Sequence, residues 1–324
     1  MAGTSLNRWR RRTAIALSLG LALLLASCDK RAGPNDPSPL PPAPPAPQRS
    51  TGPIAFVSDR DGTMRIYLAN EDGSLVTPLV PGVSPAWARD GRRLAFTAGT
   101  SDLHVIGVDG TGDRVITDSG QQPSWSPDGR ALVFLSRRDF DIAVVNVDGS
   151  NRRTLIDSDG FGSFDPAWSP DGQRIVFSTG TFFAFDFGLW TVNADGSDAR
   201  QLAGPGVGVP RGNQLFGEPS PFWDAGQAAW SPDGSLIAFR SELGSVKFSI
   251  EIARLDGSGR QLRVPGPAHD PDWTPDGRLI YTKGSFDAPT RIFISDGGTE
   301  RQLIPEATAP ARVAYSDWSA VWLR

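Results

Sequence analysis

One cysteine, two histidines, two methionines and three tyrosines in 324 residues make a thin set of reactive side chains. A single cysteine, Cys28, rules out an intramolecular disulfide and any Cys-x-x-Cys metal or redox motif. Two histidines, His104 and His269, give no His-Glu-x-x-His zinc motif, and no Gly-x-Ser-x-Gly nucleophile elbow occurs. Neither sign of charge is clustered and the net charge is -4, so no nucleic-acid partner is expected. Beyond Thr13 to Ala26, no apolar run is long enough to cross a bilayer as a helix. These shortages argue against catalysis by metal-bound histidine, thiol or activated serine, and no cofactor is expected.

The chain is instead rich in tryptophan, glycine and proline, with 10, 36 and 28 of each. They recur in one arrangement. Pro166-Ala167-Trp168-Ser169-Pro170-Asp171-Gly172 reappears as Pro123-Ser124-Trp125-Ser126-Pro127-Asp128-Gly129 and as Trp230-Ser231-Pro232-Asp233-Gly234. Looser copies are Pro85-Ala86-Trp87-Ala88-Arg89-Asp90-Gly91 and Pro271-Asp272-Trp273-Thr274-Pro275-Asp276-Gly277. Self-similarity at a fixed period outranks other sequence signals, because it fixes the architecture.

Each copy reads as a β-unit. A short extended piece ends at the tryptophan, and Ser-Pro-Asp-Gly suits a tight turn, with proline presetting φ and glycine taking the left-handed position. A β-branched and aliphatic run follows, closed by an aromatic at Phe96, Phe134, Phe177, Phe239 or Tyr281. A further run, a second Asp-Gly turn and a last short strand complete four strands in about 43 residues, the size of a propeller blade. The count is six. Motif tryptophans are Trp87, Trp125, Trp168, Trp230, Trp273 and Trp318, whereas the post-turn aromatics begin earlier, at Phe56. Trp87 leads Phe96 by nine residues, a spacing at which Trp318 has no aromatic after it and Phe56 has no tryptophan before it. The C-terminal strand is therefore expected to complete the N-terminal blade and close the ring. The expected fold is an all-β, six-bladed β-propeller over residues 53–324, and it is expected to be monomeric.

The Asp-Gly turns also echo the start of a calcium-binding loop, as in Asn146-Val147-Asp148-Gly149-Ser150-Asn151. The glutamate such a loop needs at its twelfth position is missing: Asp157 stands there. Turn chemistry accounts for these residues without a metal. A cation held by Asp165 and Asp270 is a secondary expectation.

The P-x-W-S-P-D-G core resembles the TolB-like propeller repeats, a WD-repeat-like family, and the resemblance covers Pro53 to Arg324. It implies a binding scaffold of the cell envelope rather than an enzyme. The N-terminus agrees with export. Arg8, Arg10, Arg11 and Arg12 precede the apolar run Thr13–Ala26, and Leu25-Ala26-Ser27-Cys28 resembles a bacterial lipobox. Residues 1–27 are thus read as a signal peptide and Cys28 as a lipidation site that anchors the chain to a bacterial membrane. Residues 28–52 are read as a disordered tether, because prolines from Pro34 to Pro47 enforce an extended backbone reaching about 70 Å.

Antiparallel strands put both tight turns of every blade on one face of the disc. The opposite face carries the blade-to-blade connections and the irregular loops, where propellers display function. Three residues before each motif tryptophan stand Ser84, Gln122, Asp165, Gln227, Asp270 and Tyr315, all polar or amphipathic. They are expected to ring the channel mouth on that face, with His269 beside them. Trp168 to Trp230 spans 62 residues, about 20 more than the other intervals. That excess carries Phe182, Phe183, Phe185, Phe187, Phe216, Phe222 and Trp223, expected to form an aromatic lobe over the mouth. The expected ligand is an envelope protein or peptide. An envelope hydrolase or lyase acting there on glycan or peptide is the alternative.

Overall fold

A computed structural model describes residues 54–158, 162–181, 186–203, 226–243, 246–284, 291–304 and 318–322. Among them are 24 strands, in six four-stranded antiparallel sheets, and no helix. Blades 2 to 6 each run from the centre outwards in chain order. Their innermost strands are Val83–Trp87, Gly120–Trp125, Gly162–Trp168, Gly226–Trp230 and Ala268–Trp273. Blade 1 is completed from both ends of the chain: Trp318–Trp322 lies innermost and pairs antiparallel with Ile54–Ser58.

The closing register corrects one expectation. In the other blades the motif tryptophan faces the residue two before the post-turn aromatic, as Trp87 faces Leu94 and Trp125 faces Leu132. In blade 1 the residue facing Ile54 is Trp322, and Trp318 faces Val57. Trp322, not Trp318, therefore holds the motif position. The other five inner strands run directly into a tight turn that pins their register; this one is aligned by its pairing with Ile54–Ser58.

The repeated residues explain the repeated geometry. In the turn after Trp125, Ser126 Oγ donates to Asp128 Oδ1 at 2.6 Å, and the Arg130 N–H donates to the same oxygen at 3.0 Å. Ser126 Oγ also accepts from the Ala131 N–H at 2.9 Å. Gly129 sits at φ 68°, a backbone that a side chain would strain. The same bonds recur at Ser169–Asp171 and Ser231–Asp233. At Thr274–Asp276 the threonine hydroxyl takes the serine's part. In the later turns, Asp148 and Asp195 accept from the backbone N–H and hydroxyl of Ser150 and Ser197. Turn chemistry thus engages the carboxylates that echo a calcium loop.

The cores lie between blades. Leu103, Val105 and Ile116 of blade 2 pack with Trp125, Leu132 and Phe134 of blade 3. The indole N–H of Trp125 reaches back to the Ala86 carbonyl at 3.0 Å, that of Trp230 to Ala167 at 3.1 Å, and that of Trp273 to Ala229 at 3.2 Å. Each acceptor stands just before the motif tryptophan of the preceding blade. The closing seam is packed in the same manner, with Ile54, Phe56 and Tyr67 against Ile280, Ile292 and Leu303. At that seam Gly73 lies so close to the Leu303 carbonyl oxygen that a Cβ would stand 1.8 Å from it.

Candidate functional site

The inner strands enclose a central cavity of about 390 Å³. Ser84, Gln122, Asp165 and Asp270 all line it, at the ends of their strands farthest from the tight turns. All four have left-handed backbones, with φ of 52°, 51°, 49° and 49°. All four precede a proline, Pro85, Pro123, Pro166 or Pro271. At each pair the ladder skips: Val83 pairs with Thr97 and the next pairing is Ala86 with Ala95, and blades 3, 4 and 6 repeat the step. A bulge reverses the local alternation of side chains and re-aims a residue. Here it recurs at one end of the channel in every blade where the residue is described.

The remaining expected site residues are placed as follows. Gln227 occupies the skipped position of blade 5, between Gly226 and Ala229 in the pairing, and its side chain lies outside the described residues. Tyr315 also lies outside them, and the register of blade 1 gives the equivalent position to Ser319, between Trp318 and Ala320. His269 is not at the mouth. It is 4 % exposed, its ring lies 5.0 Å from that of Phe248, and its Nε2 is 3.1 Å from the Gly284 carbonyl oxygen. Burial holds its pKa below that of an ordinary imidazole, with the Asp270 charge acting against the shift. The aromatic residues Phe182, Phe183, Phe185, Phe216, Phe222 and Trp223, the side chain of Phe187, and Cys28 lie outside the described residues.

Two channel residues carry signals that the motif reading passed over. Asp272 lines the channel and is 6 % exposed, at a position where blades 2, 4 and 5 carry Ala86, Ala167 and Ala229. Its signal was a charged residue immediately before a motif tryptophan. Arg89 lines the channel at the turn end, where blades 3 to 6 present Pro127, Pro170, Pro232 and Pro275. Its signal was the broken Ser-Pro-Asp-Gly of the second blade. The channel thus has carboxylates from blades 4 and 6 towards one end and a guanidinium from blade 2 at the other. Among the described residues, no group of three or more histidine, cysteine or acidic side chains is placed to hold a metal ion.

Comparison with known proteins agrees with this architecture. A family model described as "TolB beta propeller domain" matches residues 43–210, half of the chain. None of the curated proteins is a significant match. Among solved structures, TolB from Acinetobacter baumannii superposes with a TM-score of 0.67 at 17% identity, over 84% of this chain. The chain spans 66% of the length of that protein, just under two thirds. A nidogen/laminin complex gives a TM-score of 0.60 at 13% identity, over 83% of this chain and 97% of the other. An oligogalacturonate lyase in complex with manganese gives 0.55 at 16% identity, over 79% and 74%. At these identities the likeness is one of fold, and propellers host both binding and catalysis.

Proposed function

The chain belongs to the TolB beta propeller family, and on that premise we propose that it is a non-catalytic cell-envelope scaffold whose channel mouth binds a protein or peptide. The observation that carries the reading is the set Ser84, Gln122, Asp165 and Asp270, four polar residues in left-handed backbone round one end of one cavity. Such conformations cost about 1–3 kcal/mol each and collect where ligands are held. A purely structural ring has no need of them, because the turn end of the same strands is built without a non-glycine residue in that conformation in its Ser-Pro-Asp-Gly turns. We infer that the aromatic residues the sequence adds between Trp168 and Trp230 also take part in recognition. Export and lipidation at Cys28 place the propeller at a bacterial membrane on the end of its proline-rich tether.

The competing reading is an envelope hydrolase or lyase acting on glycan or peptide. It lacks support at the channel: no described histidine lines it, and the carboxylates at the turns are engaged by neighbouring hydroxyl and amide groups. The test is retention of a partner. The full chain is immobilised, exposed to solubilised envelope, and compared with Asp165→Ala/Asp270→Ala and with Phe182→Ser/Phe183→Ser/Phe185→Ser, each checked for folding. A protein retained by the wild type and lost with the variants is the expected result. Equal retention by all three, or none by any, counts against the reading and makes glycan or peptide turnover the next assay. For the anchor, Cys28→Ser should abolish incorporation of a fatty-acid analogue; equal labelling, or none in either chain, removes the lipoprotein assignment.

A further inference from the structure

One position of the repeat breaks its own rule, and it lies at the turn end of the disc. In five blades the second turn has an aspartate that accepts from the backbone N–H two residues on, at Ser74, Thr111, Ser150, Ser197 or Ser258. The residue after that is left-handed in all five, with φ between 51° and 68°. Four of these are Gly112, Asn151, Asp198 and Gly259, the types that tolerate such a backbone. The fifth is Leu75, at φ 51° and 43% exposed. A leucine is strained in that backbone, and its own blade leaves much of it in solvent. Blade 1 is also where the polypeptide enters the ring. Ile54 pairs with Ala69, directly before the turn Asn70–Gly73, so the first strand starts at the turn end. Blade 2 packs beside it. There the six residues after Trp87 carry three arginines, Arg89, Arg92 and Arg93, and one aspartate, Asp90. The six after Trp125, Trp168, Trp230 and Trp273 carry at most one arginine and always one aspartate. Arg93 is held by Asp90 at 2.8 Å and reaches Gly129 of blade 3, where a Cβ would stand 3.3 Å from its guanidinium. Arg89, Arg92 and the adjoining Arg130 are exposed.

We propose that the turn face of blades 1 to 3 docks on an anionic phospholipid surface, with Leu75 entering the interface and Arg89, Arg92 and Arg130 meeting lipid phosphates. The inference rests on the lipid-anchor reading above for the presence of a membrane and adds which face meets it. Three features select a bilayer. An exposed apolar side chain beside exposed cations is the pairing that an anionic interface takes up, burying the one and attracting the others. The chain as a whole has a net charge of -4, so an anionic surface repels most of it and attracts only this sector, which fixes an orientation. The proposed anchor at Cys28 connects to the propeller through the same end, because Ile54 begins there. Docked in this way, the ring of Ser84, Gln122, Asp165 and Asp270 at the far end of the channel stays open to partners.

The test follows one fluorophore at a time on the full chain. Cys28→Ser removes the natural thiol, and an apolar, environment-sensitive label is attached through Leu75→Cys at the turn end. The control is Thr100→Cys, exposed in the mouth-end loop of blade 2. Vesicles of phosphatidylcholine, with or without phosphatidylglycerol, are titrated in at low ionic strength. The apolar run Thr13–Ala26 is present in every variant, so its own affinity for lipid cancels in the comparison. Emission from position 75 should shift to the blue and rise about twofold with the anionic vesicles, and emission from position 100 should not change. Arg89→Gln/Arg92→Gln/Arg130→Gln should weaken the titration about tenfold or more. Arg137→Gln/Arg138→Gln, which removes charge from an exposed mouth-end loop, should leave it within about twofold. No shift at position 75, equal shifts at both positions, equal shifts with neutral vesicles, or a titration unchanged in the turn-face variant overturns the proposal. The two readings fail separately. Fatty-acid incorporation at Cys28 without a shift at position 75 leaves the anchor standing and removes the docking face. A shift that depends on lipid charge, in a chain that incorporates no fatty acid, does the reverse.

Discussion

The two ends of the central channel are made by the same strands and treat acidic residues in opposite ways. At the turn end, Asp128, Asp171 and Asp233 each accept a serine hydroxyl and a backbone N–H from their own turn. Those hydrogen bonds, the serine's first, hold all three carboxyls below the usual carboxylate range. At the mouth end, Asp165 and Asp270 sit on bulges that leave the ladder, in left-handed backbone, against a cavity. An aspartate in a repeat is therefore not one thing. Where its own turn supplies the donors it stabilises the blade; where the backbone leaves the ladder it lines the channel.

Four variants test this contrast. The largest effect belongs to the tryptophans that hold the two ends together. Trp230 is 1% exposed and donates to the Ala167 carbonyl, so Trp230→Ala should cost about 3–5 kcal/mol in chemical denaturation. A loss below about 1 kcal/mol would remove the inter-blade role.

At the turn end, Asp171→Ala removes the acceptor for Ser169 Oγ and the Gln173 N–H, and should cost about 1 kcal/mol. Its pH signature is the sharper check. A carboxyl whose folded pKa lies below its unfolded value, about 3.9, stabilises the fold above that value. The stabilisation is lost as pH falls through the folded pKa. The parent chain should therefore lose stability as pH drops below about 4, and Asp171→Ala should lose less over that range. Parallel acid limbs in the two chains would contradict the assignment.

At the mouth end the sign reverses. Ser84 has a φ of 52° and makes no hydrogen bond that glycine would forfeit among those described. Ser84→Gly should raise stability by a few tenths to about 1 kcal/mol, less the entropy that glycine loses. A clear destabilisation would show that the bulge is not strained. The smallest effect is expected for Asp165→Asn/Asp270→Asn, within about 0.5 kcal/mol in stability. Asparagine keeps an acceptor for the Thr282 hydroxyl that now bonds Asp270 and tolerates left-handed backbone.

The blade, the count of six and the closure through the C-terminal strand were all legible, because Trp-Ser-Pro-Asp-Gly carries its turn chemistry in its own residues. Legibility stopped where that turn stops. Trp318 and Trp322 are told apart by pairing with Ile54 rather than by turn residues. The mouth positions were visible as polar residues three before each tryptophan. Their left-handed backbone was not, since a residue before proline is ordinarily extended. Four bulges that defeat this preference are a property of the assembled ring, set by neighbours in the ladder. His269 was misplaced for a related reason. It adjoins Asp270 in sequence, but successive side chains on a strand face opposite ways, so it packs on Phe248 of the neighbouring blade.

The most direct measurement is a photo-cross-link in the native envelope. A photoreactive amino acid is placed at Ser84, at the mouth, or at Ser235, at the turn end of blade 5. Cross-linking of an envelope protein or peptide from position 84 and not from 235 is the predicted result. Cross-linking from position 235 alone, or from both positions equally, would contradict the assignment of recognition to the mouth.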